Sequence, residues 1–120
     1  MSYTFYNNIP IYIQLVDIVR VDIVSGKLSV GSRLPSVREL AFYYKVNPNT
    51  MQKALVELEN EKLIYTERTN GKYVTSDSKV INKAKEKLAK EKVREYLSSM
   101  NSIGITYEES IKYLQELGGK

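Results

Sequence analysis

The chain has 120 residues, no cysteine, no histidine and a formal net charge of +4. Disulfides, thiolate zinc sites, cysteine nucleophiles and histidine general bases are therefore excluded. Carboxylates are the only metal ligands left, with no spaced Asp/Asn/Gly loop to gather them, so neither a cofactor nor an enzyme is expected. Hydrophobic content of 42% and charged content of 27% fit a soluble globular protein, small enough to gain from association with a second copy. The opening stretch MSYTFYNNIPIY lacks the basic-then-apolar order of a signal peptide. Asp17, Arg20 and Asp22 break the longest apolar run, so no membrane span is expected and the default location is the cytoplasm.

In chain order, Asn7 or Asn8 can cap a first helix, with Pro10 in its first turn. Ile11, Tyr12, Leu15, Val19 and Ile23 follow at helical spacing, and Ser25-Gly26 stops the helix, Gly26 in the left-handed conformation. Leu28 to Pro35 is a connector. Ser36-Val37-Arg38-Glu39 is a capping box, and Val37, Leu40, Ala41 and Tyr44 give the short helix after it one apolar face. Lys45-Val46 makes a tight turn, and Asn47-Pro48 starts a third helix. Met51, Ala54, Leu55 and Leu58 are its buried stripe. Asn49, Thr50, Gln52 and Lys53 face the other way, and Glu57, Glu59 and Glu61 crowd its far end.

The helical pattern then ends. Residues 63–68 and 72–75 are β-branched and aromatic, and Thr69-Asn70-Gly71 between them carries the Asn-Gly hairpin signal. Ser76-Asp77-Ser78 can cap a long helix with Val80, Ile81, Ala84, Leu88, Ala89, Val93, Tyr96, Leu97 and Met100 as its apolar face, ended by residues 101–104. Thr106 to Glu109 is a second capping box, opening a last helix with Tyr107, Ile111, Leu114 and Leu117. The basic excess is even: nine Lys/Arg against seven Asp/Glu in residues 1–75, and the same in 76–120. No basic tail is set apart to bind nucleic acid by charge alone.

Helix, helix, tight turn, helix, hairpin is the order of a winged helix-turn-helix. The expected fold is mainly α with a small β-wing over residues 1–75, followed by a helical tail over 76–120. The major groove admits one helix whose N-terminal residues reach base edges. The third helix suits that role. Asn and Gln pair bidentately with adenine, Thr meets base edges or a thymine methyl, and the acids at the far end would be repelled by phosphate. Ser36 and Asn47 mark two helix N-termini that favour phosphate. Arg33, Arg38, Arg68 and Lys72 lie beside these elements and can neutralise it. Each feature has a plainer reading: Asn47 as a cap only, Arg33 or Arg68 as solvated charges, the stripes as core. The order and spacing of the set carry the weight. A winged helix used for protein interaction, or an RNA-binding module exploiting the ten tyrosines, remains the alternative.

From Pro10 to Val74 the chain resembles the DNA-binding domain of the GntR family of bacterial transcription regulators. The most specific pieces are Leu34-Pro35-Ser36-Val37-Arg38-Glu39-Leu40, residues 46–55 and residues 68–74. The resemblance implies a DNA contact at Arg38, recognition-helix positions at Asn47, Asn49, Thr50 and Gln52 with Lys53 beside them, and a wing tip at Asn70, Gly71 and Lys72 that approaches the minor groove. A better-known branch often has Arg where this chain has Pro48 and Gln52, which implies an A/T-richer half-site here. The short tail, ending in GITYEESIKYLQEL, resembles the YtrA subgroup, in which the tail is chiefly a dimerisation unit. The resemblance implies a dimeric repressor on a pseudo-palindromic DNA operator, controlling an ABC transporter operon and its own gene. Ile81, Ala84, Leu88, Val93, Tyr96, Leu97, Met100, Ile111 and Leu114 are the expected dimerisation positions, and Ile18 and Val21 of the first helix are a second place the tail could pack. Tyr96, Tyr107 and Tyr113 are candidates to line a small-molecule effector pocket, though tyrosines at such spacing are more often core or interface.

Overall fold

The computed structural model describes residues 5–119, so residues 1–4 of the opening stretch and Lys120 lie outside it. Five helices and one antiparallel hairpin follow in the order α1 (Ile11–Val24), α2 (Val37–Tyr44), α3 (Pro48–Asn60), β1 (Ile64–Glu67), β2 (Gly71–Val74), α4 (Ser78–Ser102) and α5 (Tyr107–Gly118). The chain forms two compact units, the first ending at Lys83 and the second beginning at Ala84. Among the described residues, no helix is long and apolar enough to cross a membrane.

In the first unit, three helices and the hairpin close around one apolar core. Leu15, Val19 and Ile23 of α1 meet Leu40, Ala41 and Tyr44 of α2, Met51, Ala54, Leu55 and Leu58 of α3, and Leu63, Ile64 and Val74 at the base of the hairpin, all buried. Burying each larger side chain stabilises the fold by about 1.5–3 kcal/mol. Polar ties fix the angles. Arg20 donates to both carboxylate oxygens of Glu61, at 2.8 and 2.6 Å, and to Asp17 at 2.6 Å. These carboxylates hold the Arg20 guanidinium well above its ordinary pKa, the Glu61 hydrogen bond being the largest cause, with burial opposing it. The Lys53 ammonium lies 4.5 Å from the Tyr12 ring centre, a cation–π contact. Tyr12–Lys53 and Arg20–Glu61 are separated by the same interval on both helices, so α1 and α3 run in one direction. The Tyr44 hydroxyl donates to buried Asp22 at 2.7 Å and ties α1 to α2.

The start of α1 differs from expectation. Pro10, not Asn7 or Asn8, occupies the cap position and makes no side-chain capping bond. Gln14 does the work instead: its amide nitrogen donates to the carbonyls of Tyr6 and Ile9, and its oxygen accepts from the Tyr6 N–H. Ile11, expected on the apolar stripe, is exposed, whereas Val16 and Val24, outside that stripe, are buried. Helix α1 does stop at Ser25, with Gly26 at φ +87°.

The hairpin turn is Arg68-Thr69-Asn70, closed by the Asn70 N–H donating to the Glu67 carbonyl. Gly71, expected inside the turn, is the first residue of β2, paired with Glu67 and held at φ +103°. Such a turn followed by a left-handed glycine is a common three-residue hairpin loop. The connector before α2 pairs with β2 through an isolated bridge. Leu34 N–H donates to the Lys72 carbonyl, Val74 N–H to the Ser32 carbonyl, and Arg33 bridges Tyr73 between them.

Helix α4 begins at Ser78 with Asp77 accepting from the Lys79 N–H, and its first turns, including buried Ile81, belong to the first unit. The second unit is the rest of α4 and α5. Thr106 and Glu109 form the expected capping box. The residue of α5 that is buried is Ser110, outside the expected stripe. Its hydroxyl donates to the Thr106 carbonyl, and its own carbonyl accepts from the Tyr96 hydroxyl at 2.9 Å.

Candidate nucleic-acid interface

Helix α3 has two chemically opposite sides. Met51, Ala54, Leu55 and Leu58 are fully buried, whereas Asn47, Asn49, Gln52 and Lys53 are exposed and Thr50 is half-buried. The Asn47 side-chain oxygen accepts from the Asn49 N–H at 2.7 Å, and Pro48 occupies the first turn, where a missing N–H costs nothing. Asn47 is thus a cap. Lys53 is drawn to the Tyr12 ring rather than projecting freely.

Helix α2 presents its N-terminus nearby in the chain. Ser36 Oγ accepts from the Glu39 N–H, and Glu39 Oε1 accepts from the Ser36 N–H. That backbone hydrogen bond, with the serine hydroxyl and the Arg33 charge adding to it, keeps the Glu39 carboxyl below the usual carboxylate range. The amides of Val37 and Arg38 have no acceptor within the helix, which is the condition for binding an anion.

The hairpin completes the site. Arg33 lies across Gly71: a β-carbon there would sit 3.4 Å from the Arg33 Nε. An open cleft of about 760 Å³ separates the start of α2 from the hairpin, with Arg33, Ser36, Arg68, Gly71 and Lys72 on its walls. Lys72, however, donates to Glu59 at 3.3 Å and to Thr66 at 3.1 Å. On the opposite face of the hairpin, Tyr65 and Tyr73 stack at 5.6 Å. Among the described residues, Arg38 and Arg68 make no ion pair. Of the sequence-predicted residues, five line one cleft, the α3 positions form a helix edge, and Arg38 and Asn70 do not line the cleft; Lys53 and Lys72, within the first two groups, are already engaged. Sequence reasoning missed the partners, Tyr12 and Glu59, because nothing in one dimension brings them to those lysines.

The expected tail positions also divide. Ile81 is buried within the first unit. Ala84, Leu88, Tyr96, Leu97, Met100 and Ile111 are half-buried, and Val93 and Leu114 remain 54% and 52% exposed.

Residues 11–74 match the family model of bacterial regulatory proteins, gntR family. The chain is similar to the HTH-type transcriptional regulator YhcF of Bacillus subtilis, 34% identical over 93% of each chain. It is also similar to the HTH-type transcriptional repressor YtrA of the same organism, 33% identical over 92% of this chain and 90% of that one. A solved GntR family transcriptional regulator from Listeria monocytogenes superposes with a TM-score of 0.84 at 39% identity, covering 94% of this chain and 99% of the other. A three-helix core, a two-stranded wing and this similarity along the whole chain lead to one conclusion: the protein belongs to the GntR family of DNA-binding transcription regulators.

Proposed function

We propose that this regulator is a repressor that binds a pseudo-palindromic DNA operator as a homodimer, residues 1–75 reading DNA and residues 76–120 joining the two copies. The observation that carries the reading is the two-sidedness of α3: a fully buried apolar side and an exposed edge of Asn49, Gln52 and half-buried Thr50. An edge of neutral hydrogen-bonding side chains on a rigidly seated helix is what base reading requires. Arg33, Arg38 and Arg68 neutralise phosphates, the free amides at the start of α2 receive one, and Asn70 and Gly71 bring the wing tip to the minor groove.

The dimer reading is supported by apolar side chains that a single chain leaves in water, among them Val93, Ile103, Leu114 and Leu117. A two-fold dimer would present two recognition helices to one face of the duplex. Repression is supported by the similarity to a named repressor. The subgroup resemblance extends the reading to an ABC transporter operon and the regulator's own gene as targets.

The test is a mobility shift on the DNA upstream of the protein's own gene, with unrelated DNA as competitor and salt varied. A dimer-sized shift that outlasts the competitor supports the reading; binding that the competitor removes completely refutes autoregulation. Leu114→Glu should give a monomer by light scattering; an unchanged dimer would reject the tail as the interface.

A further inference from the structure

Lys72 occupies the wing, two residues past the Arg68-Thr69-Asn70 turn, yet its ammonium is already bonded within the protein. Lys72 and Thr66 are register partners on the face of the hairpin that also carries Ile64 and Val74. Glu59, in the last turn of α3, reaches both. One carboxylate oxygen accepts from the Thr66 hydroxyl at 2.8 Å and the other from the Lys72 ammonium at 3.3 Å. The ammonium also donates to Thr66 at 3.1 Å, which closes a ring of three groups. The lysine side chain is 20% exposed and that of Glu59 36%. Below this ring the hairpin is held by burial of Ile64 and Val74. Above it only the Glu67–Gly71 pair and the turn remain.

We propose that Glu59 is the positioning residue of the wing: it fastens the hairpin to the recognition helix just below the tip and removes Lys72 from the charges available to phosphate. The phosphate-neutralising charge of the wing is then Arg33, lying across Gly71, and Arg68, in the turn. The proposal rests on the DNA-reading function above. Backbone bonds from residues 31–34 reach β2 no nearer the turn than Lys72, so a carboxylate shared by both strands limits how far the tip beyond them wanders. A wing anchored to α3 keeps its register when α3 is seated in the groove. An unanchored one carries an extra mobile cation that attracts any duplex.

The test uses the full chain and separates the anchor from the DNA. In free protein, amide hydrogen exchange is followed over residues 68–72 for the wild type, Glu59→Gln, Lys72→Met and the double variant. Either single substitution should raise exchange there about three- to tenfold, with the α3 core amides unchanged, and the double variant should exceed neither. The reversed pair, Glu59→Lys with Lys72→Glu, should restore slow exchange. Unchanged exchange in both single variants, or no recovery in the reversed pair, overturns the proposal.

On unrelated duplex, Glu59→Gln should steepen the dependence of log K on log salt by about 0.9 for each freed lysine that finds a phosphate, and should lower the ratio of specific to nonspecific affinity. A slope lowered in Lys72→Met as much as in Arg68→Met would mark Lys72 as a phosphate contact and overturn the charge assignment. A wild type that binds no duplex in a salt-dependent way would refute the DNA-reading function, and the exchange results alone would then decide the anchor.

Discussion

Tyr44→Phe removes one atom from a buried bond between α1 and α2. The Tyr44 hydroxyl donates to Asp22 Oδ2 at 2.7 Å, and Asp22 is 6% exposed, with the Lys27 ammonium 4.0 Å from its other oxygen. The substitution leaves the ring and its packing in place, so no cavity term enters. What is lost is a hydrogen bond to a charged acceptor, worth about 1.5–3 kcal/mol when buried. Lys27 is 42% exposed and compensates little. A loss of about 2 kcal/mol should lower the midpoint of thermal unfolding by roughly 6–10 °C for a chain of this size. Far-UV circular dichroism gives the midpoint, and urea unfolding gives the free energy. Asp22→Asn in the Tyr44→Phe background should cost less than the sum of the two single changes, because the two groups act on each other. A midpoint moved by less than about 1 °C, or strictly additive losses, would show that the bond contributes nothing net, and the reasoning from burial would fail.

Lys62 sits at φ +67°, a conformation that costs an ordinary residue about 1 kcal/mol, so Lys62→Gly should stabilise the protein by about 0.5 kcal/mol after the added freedom of the unfolded chain; urea unfolding checks it. Gly71→Ala should weaken DNA binding, because φ +103° strains a side chain at the wing tip that Arg33 lies across, whereas Gly26→Ala, equally strained but open to space, should cost stability without touching binding. Glu39 and Glu109 are held ionised by their caps, so their folded pKa values lie below the unfolded value of about 4.3. Their contribution is complete above that value and is lost as pH falls through the folded values. The stability difference between wild type and Glu39→Gln should therefore vanish on acidification, which denaturant unfolding at several pH values would reveal. Finally, Asn49→Ala should reduce specific binding more than nonspecific binding, and Arg38→Ala should reduce both; equal losses from both variants on all DNA would show that the roles were misassigned.

Local rules carried far in this chain. The two capping boxes at Ser36 and Thr106, the Asn47-Pro48 helix start and the stripe Met51, Ala54, Leu55 and Leu58 are short-range patterns, and each has its geometry in the structure. The failures share a cause: competition from residues further along the chain. Asn7 and Asn8 looked like caps, but Gln14 had already satisfied the backbone around them from inside the helix. Residues 31–34 carry no alternation that marks a strand, because the hairpin imposes that pairing from forty residues away. At the candidate site, the exposed edge of α3 was legible from helical periodicity alone. The acids at the end of α3 were read only as repelling phosphate. Two of them, Glu59 and Glu61, are braces to the wing and to α1, which no count of charges could have separated from a solvated run.

The pairing of the connector with β2 has a mechanical consequence. Its last bonded residue, Leu34, is followed by Pro35 and then by Ser36, the cap of α2. On the DNA-reading function, the start of α2 and the wing tip are the jaws of one caliper, with a proline in the short arm between them. With the wing anchored at Glu59, such a tool opens little to suit its object. On the DNA-reading function, a duplex whose groove differs from this span must bend or twist to fit, and sequences that deform cheaply will be preferred at base pairs the protein never touches.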